Sequence, residues 1–175
     1  AGAAAGALMQ NTTLLRGATE KARTEMISFV ATMEQAGVSS DISSKSLHVM
    51  NKVMGITGPA LRKEFEGMVH MAQDMGMSVS AVSQDFVEAS KILAAHGPKM
   101  AGVFRALAGQ AASTGISMSR LLEIAAQFDT FEGAADAVGR LNGILGGPYL
   151  NSIDMVYKTE SQRNRAILES VRLSG

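Results

Sequence analysis

The sequence predicts an all-α chain. Three observations carry the prediction. Apolar residues recur at steps of three and four, no run alternates β-branched with polar residues, and Gly-x-Ser phrases interrupt the pattern at a fixed interval. "GVSSDISSKS" begins at Gly37, "GMSVSAVSQD" at Gly76 and "GISMSRLLEI" at Gly115, so the phrase returns after 39 residues and again after 39. The expected architecture is a bundle of seven to eight short-to-medium helices, built from repeated αα-hairpins and without a sheet.

Residues 1–11, "AGAAAGALMQN", form an Ala/Gly-rich stretch read as a linker or the end of an upstream segment. It is too short to span a bilayer, for which about 20 apolar residues are needed, and lacks the basic start of a signal peptide. With no Met in first position, the chain reads as a piece of a longer polypeptide or a processed product. Residues 12–36 form a first helix on the stripe Leu15, Ala18, Ala22, Met26, Phe29 and Met33, stopped by Gly37.

Residues 37–114 hold two 39-residue units. Gly37/Gly76, Ser39/Ser78, Ser44/Ser83, Lys52/Lys91, Gly58/Gly97, Pro59/Pro98, Phe65/Phe104 and Ala72/Ala111 are identical between them. That is eight identities where composition alone gives about three. Each unit reads as helix, break, helix. Glycine ends one helix and serine caps the next, with Ser39 or Ser40 and Ser78 or Ser80 accepting from orphan amides. Pro59 and Pro98 suit a first helical turn. Phe65 and Phe104 fall on equivalent apolar stripes and are expected to be buried alike.

The region 115–175 departs from the period. A helix runs from Gly115 through Leu121, Leu122, Ala125 and Phe128, and another carries Phe131, Ala134, Ala135, Val138, Leu141 and Leu145. Asp129 with Glu132 has capping-box spacing, and Gly146-Gly147-Pro148 stops the helix. A loop follows to about Tyr157. Thr159 with Gln162 then opens a last helix through Ile167, Leu168 and Val171.

Composition bounds the function. Sixteen basic and sixteen acidic residues cancel, and no basic stripe offers a hold on nucleic acid. No cysteine is present, which excludes disulfides and thiolate catalysis. Twelve methionines fit an adaptable helical core, or alternatively a partner groove. His48, His70 and His96 lack metal-ligand spacing and read as structural. Asp129, Glu132 and Asp136 share one helix face and read as capping and dipole residues rather than an acid/base pair across a cleft. Gly143, Gly146 and Gly147 have neither the preceding strand nor the following Lys-Ser/Thr of a phosphate loop. Lys52 and Lys91 read as solvated. The expectation is no enzyme, no cofactor and no metal.

The stretch 128–151, "FDTFEGAADAVGRLNGILGGPYLN", resembles a segment of tail tape measure proteins of tailed bacteriophages. There an Asp-Thr-Phe-(Asp/Glu)-Gly-Ala-Ala run leads to a Leu-Asn-small-apolar-Leu-Gly-Gly phrase, matched here by Asp129 to Ala135 and Leu141 to Gly147. Asn151-Ser152 fits the way that family resumes. The resemblance implies a structural virion protein in the tail tube lumen or tail tip, one that sets tail length and leaves with the DNA. It also implies a homo-oligomer with tail tube and tail-tip or baseplate partners, and host-membrane contact during ejection. No catalytic residue follows from it. Because Gly and Gly-Pro break the chain every 15–20 residues or so, it reads as a compact terminal portion rather than the measuring rod. The candidate interface is Phe131, Ala134, Ala135, Val138, Leu141 and Leu145. Competing readings are a peptidoglycan-active lytic virion domain and a non-viral helical adaptor or sensor bundle.

Overall fold

The glycines that punctuate the sequence also punctuate the backbone. Gly37, Gly76 and Gly115 adopt φ of 90°, 65° and 71°, a region that side-chain-bearing residues avoid. Two residues after each, a serine caps the next helix: Ser39 accepts from the Ile42 amide, Ser78 from Ala81 and Ser117 from Arg120. In this computed structural model, which describes residues 2–11, 13, 15–16 and 18–175, the chain is all-α, with no strand among the described residues.

The helices in order are α1 (Gly2–Asn11), α2 (Glu20–Gln35), α3 (Ser40–Lys52), α4 (Pro59–Asp74), α5 (Val79–Leu93), a 3₁₀ turn (Ala94–Lys99), α6 (Met100–Thr114), α7 (Met118–Ala126), α8 (Phe131–Leu145), α9 (Ser152–Tyr157) and α10 (Glu160–Ser174). They form two compact units, residues 1–101 and 102–175. The second 39-residue repeat is therefore divided between the units, and the sequence period is not a domain boundary.

Every identity between the repeats has a structural counterpart. Gly58 and Gly97 share φ of 58° and 51°, ahead of Pro59 and Pro98. Ser44 and Ser83 are fully buried, as are Phe65 and Phe104, and Ala72 and Ala111 are buried too. Lys52 and Lys91 both stand in the last turn of their helices, where the dipole favours a cation. The repeats differ where they join their two helices. Gly55, with φ of 70°, breaks the first, and the Asn51 amide closes that loop on the Ile56 carbonyl at 2.9 Å. Ala94 takes its place in the second, and the chain tightens into the 3₁₀ turn. Pro98 lies inside that turn, just before α6, whereas Pro59 begins α4 as expected.

In the first unit α3 packs against α1, α2, α4 and α5. Its inward face is small and polar: Ser40, Ser43, Ser44 and Ser46 are buried beside Leu47 and Met50. Small side chains let helix axes approach closely, and α1 is built of the same kind of residue. The linker expected over 1–11 is in fact α1, held by buried Ala4 and Leu8. Its last residue, Asn11, donates to Asp41 at 2.8 Å. The same carboxylate accepts from Lys45, the main reason that its pKa lies below the ordinary carboxylate value. The helix expected over 12–36 begins only at Glu20, capped by Thr19. Of its stripe, Leu15 and Ala18 precede the helix, Ala22 is exposed, and Phe29 and Met33 are buried. Phe29 meets Phe65 edge-on, centroids 5.6 Å apart, so Phe65 packs on α2 from outside its own repeat.

One carboxylate in this unit works against folding. Burial, reinforced by Glu88, raises the pKa of Asp85 on α5 above its ordinary value. A raised folded-state pKa means the native state holds the proton more tightly than the unfolded chain. Its contribution is most favourable below the unfolded pKa and is lost as pH rises through the folded value. Asp85→Asn is expected to raise the melting temperature at pH 7, with the gain shrinking below pH 4. Thermal melts at the two pH values check this.

Candidate functional site

The stretch 128–151 folds into the second unit as a helix with both ends locked. Thr130, not Asp129, is the N-cap of α8, and its hydroxyl accepts from the Gly133 amide at 3.0 Å. The expected Asp129–Glu132 box does not form: the cap falls on Thr130, opposite Gly133, which has no side chain to return the bond, and the Asp129 carboxylate pairs with Arg163. Gly133 has no room for a side chain, since a Cβ there would lie 2.7 Å from the Gln127 carbonyl oxygen. At the far end Gly146 takes the left-handed conformation, φ 74°, and the Gly147 amide returns to the Asn142 carbonyl at 3.1 Å. Asn142 also clamps the chain beyond, donating to the Leu150 carbonyl at 2.8 Å and accepting from the Leu150 amide at 2.9 Å.

After this turn the expected loop is helical in part. Asn151 caps α9, accepting from the Asp154 amide, and buried Met155 joins Leu150, Phe128, Ala134, Ala137 and Val138 in the core of this unit. Thr159 and Gln162 form the expected reciprocal capping box at the start of α10. The inward face of α10 was not foreseen. Ser161, Arg163, Asn164 and Ser170 are buried, while Leu168 and Val171 are exposed.

Arg163 is the centre of this face. Only 5% of it is exposed. Its Nε donates to the Met155 carbonyl at 2.9 Å and its Nη2 to Val156 at 3.0 Å, both in the last turn of α9. Its Nη1 donates to the Ala125 carbonyl at 2.9 Å, at the end of α7, and to Asp129. One guanidinium thus bonds carbonyls at the C-termini of two helices, where a cation is favoured, sharing the Ala125 oxygen with the Phe128 amide, and pairs with a half-exposed carboxylate. Next to it Asn164 donates to the Leu121 carbonyl at 2.9 Å, and Gln110 on α6 donates to the Ser161 carbonyl at 2.8 Å. Sequence inspection misses this network, because a single Arg on a polar helix carries no spacing to betray its partners.

The six residues expected to form an interface separate into two groups. Ala134 and Val138 are buried in the core of the unit, Leu141 packs against it, and Leu145 is half-buried. These four are largely occupied within the chain, because α8 needs that stripe to cover Phe128 and Met155. Phe131 and Ala135 are exposed, and Phe131 is 60% so. Beside Phe131 stands Tyr157 at 77% exposure, and the same helix as Tyr157 carries Ile153 at 60%. The Phe131 and Tyr157 rings meet edge-on with centroids 6.3 Å apart, and Ile153 stands one helical turn before Tyr157 on α9.

The acidic residues do not converge. Asp129 faces Arg163, Asp136 pairs with Arg140 at 2.7 Å, and Glu132 stands in the first turn of α8. His48, His70 and His96 lie on α3, α4 and the 3₁₀ turn. Among the described residues no three His, Asp or Glu side chains are grouped to hold a metal ion, and no helix is long and apolar enough to cross a membrane.

No family model matches the chain, and no curated protein or solved structure matches it.

Proposed function

We propose that this chain is a structural component of a bacteriophage tail, a compact portion of a tape measure protein seated at one end of the tail. The reading rests on one observation, the likeness of residues 128–151 to that family. The structure lends support by giving the matched residues architectural work. Asp129 holds Arg163, Thr130 caps α8, Gly133 admits no side chain, Ala134 is buried, Asn142 clamps Leu150, and Gly146 turns the chain. A phrase whose residues position helices suits an assembly module better than a catalytic site.

On this reading the chain sits in the tail tube lumen or tail tip, associates with copies of itself and with tube and tip proteins, and leaves ahead of the DNA. Short helices separated by glycine turns do not make one continuous ruler, in which each residue would add about 1.5 Å. Tails purified from the phage or prophage that encodes the chain are expected to contain it in several copies per particle by quantitative mass spectrometry. Deleting residues 128–151 is expected to leave heads without functional tails. Tails that lack the chain yet have normal length and infect normally would refute the reading.

A further inference from the structure

We infer that the second unit carries both halves of a head-to-tail contact, and that its partner is a second copy of this chain. The first half is the projecting pair Phe131 and Tyr157, with Ile153 one helical turn before Tyr157. Within the stretch from Asp129 to Gly147, Phe131 and Ile144 are the large apolar side chains that the fold leaves in solvent, and of the two Phe131 has an aromatic partner. Two aromatic rings at 60% and 77% exposure, held edge-to-face by their helices, form a preorganised knob with little side-chain freedom left to lose.

The second half is a groove of about 510 Å³ between α6 and α10. Its α6 wall is made of Ala106, Gly109 and Ser113, and its α10 wall includes Arg165 and Leu168. Small residues on one wall and a half-exposed leucine on the other leave space that flat aromatic rings fill. Gln110 lines the same groove. Its amide nitrogen is committed to Ser161, while its Oε1 is buried with no hydrogen-bond partner. An orphan acceptor of this kind calls for a donor, and the knob brings one in the Tyr157 hydroxyl once the amide yields toward it. The charges agree as well. Glu132 adjoins Phe131 on the knob, and Arg165 stands at the lip of the groove. Such rim charges contribute little affinity but favour one orientation.

Knob and groove are different surfaces, so the contact is heterologous. It propagates from copy to copy and yields a ring if the rotation closes, or a filament if it does not. Two aromatic side chains bury about 150–250 Å² each, which is less than a standard interface, so a dissociation constant on the order of 10–100 µM is expected. The contact gives a surface to the self-association in the tail reading, but it stands on this geometry alone.

A complementation experiment tests it. Phe131→Ser/Tyr157→Ser removes the knob, and Ser113→Trp fills the groove; all three positions are exposed, and circular dichroism verifies the helical fold of each variant. By sedimentation velocity the unaltered chain should form species that grow with concentration. Each variant alone should be monomeric. An equimolar mixture should form a one-to-one dimer and nothing larger, because each variant keeps one intact half. Tyr157→Phe, which leaves the packing and removes only the hydroxyl, should weaken association about three- to tenfold. The inference fails if the unaltered chain stays monomeric to about 1 mM, tenfold above the weaker end of that range. It fails equally if either variant associates like the parent, if the mixture does not dimerise, or if Tyr157→Phe has no effect. Should the contact hold while purified tails lack the chain, the tail reading falls and the contact remains.

Discussion

Arg163→Met is expected to cost about 3–5 kcal/mol, since each buried polar group left without a partner costs about 1–3 kcal/mol. Methionine keeps much of the length and apolar volume of the stem, so the loss reports on the guanidinium. The Met155 and Val156 carbonyls lose this donor together, and the Ala125 carbonyl is left with the Phe128 amide. Asp129→Asn offers the contrast. The guanidinium keeps its three carbonyl acceptors, and the lost carboxylate is 57% exposed, so the expected cost is about 1 kcal/mol. Urea titrations of both variants, followed by circular dichroism, check the pair. Equal costs would mean that the ion pair, and not the carbonyl contacts, dominates the site. An Arg163 variant as stable as the parent would mean that the carbonyls find water at no penalty.

Phe65→Ala and Phe104→Ala are expected to destabilise by about 3–5 kcal/mol each, because both rings are fully buried at equivalent positions. They lie in different compact units, which makes the pair diagnostic. If the two units unfold independently, each variant shifts its own transition and leaves the other in place. If the chain unfolds as one, both shift the same midpoint. Differential scanning calorimetry distinguishes these outcomes. A cost under 1 kcal/mol at either position would mean that the site collapses around the lost ring and that equal burial does not confer equal importance.

The elements that could be read from the sequence were those fixed by local chemistry. A glycine at positive φ followed by a capping serine is a short-range device, so the helix starts after Gly37, Gly76 and Gly115 are visible without knowledge of the fold. The Thr159–Gln162 box and the Gly146 stop are of the same kind. Local chemistry is silent where tertiary structure decides. An Ala/Gly run such as 2–10 has too small an apolar face to announce a helix, and it becomes legible only with the serine face of α3 to pack against. At Asp129-Thr130 either residue can cap, and the partner of the Asp129 carboxylate, Arg163, lies 33 residues beyond Thr130. The α8 stripe from Ala134 to Leu145 was correctly seen as apolar, but apolarity alone does not say whether a face meets its own chain or another. The inward side of α10 was hidden for the opposite reason. Its buried residues are polar, and Arg163 and Asn164 are accommodated by carbonyls that other helices present.

The matched junctions of the two repeats bear on heredity as well as on folding. At Gly37, Gly76 and Gly115 the backbone leaves one helix in the same conformation and enters the next through the same serine cap. Unequal crossing-over between the repeats would therefore rejoin the polypeptide at a junction it already uses, with phase and capping intact. The gene would gain or lose length in whole steps of 39 codons, because an exchange out of register would place a side chain where the turn favours glycine. The α7–α8 hairpin stands outside this exchange. Its two glycines, Gly115 and Gly146, are 31 residues apart. Variation in such a lineage would thus accumulate ahead of Gly115, while the region that carries Arg163 and the aromatic knob would pass unchanged.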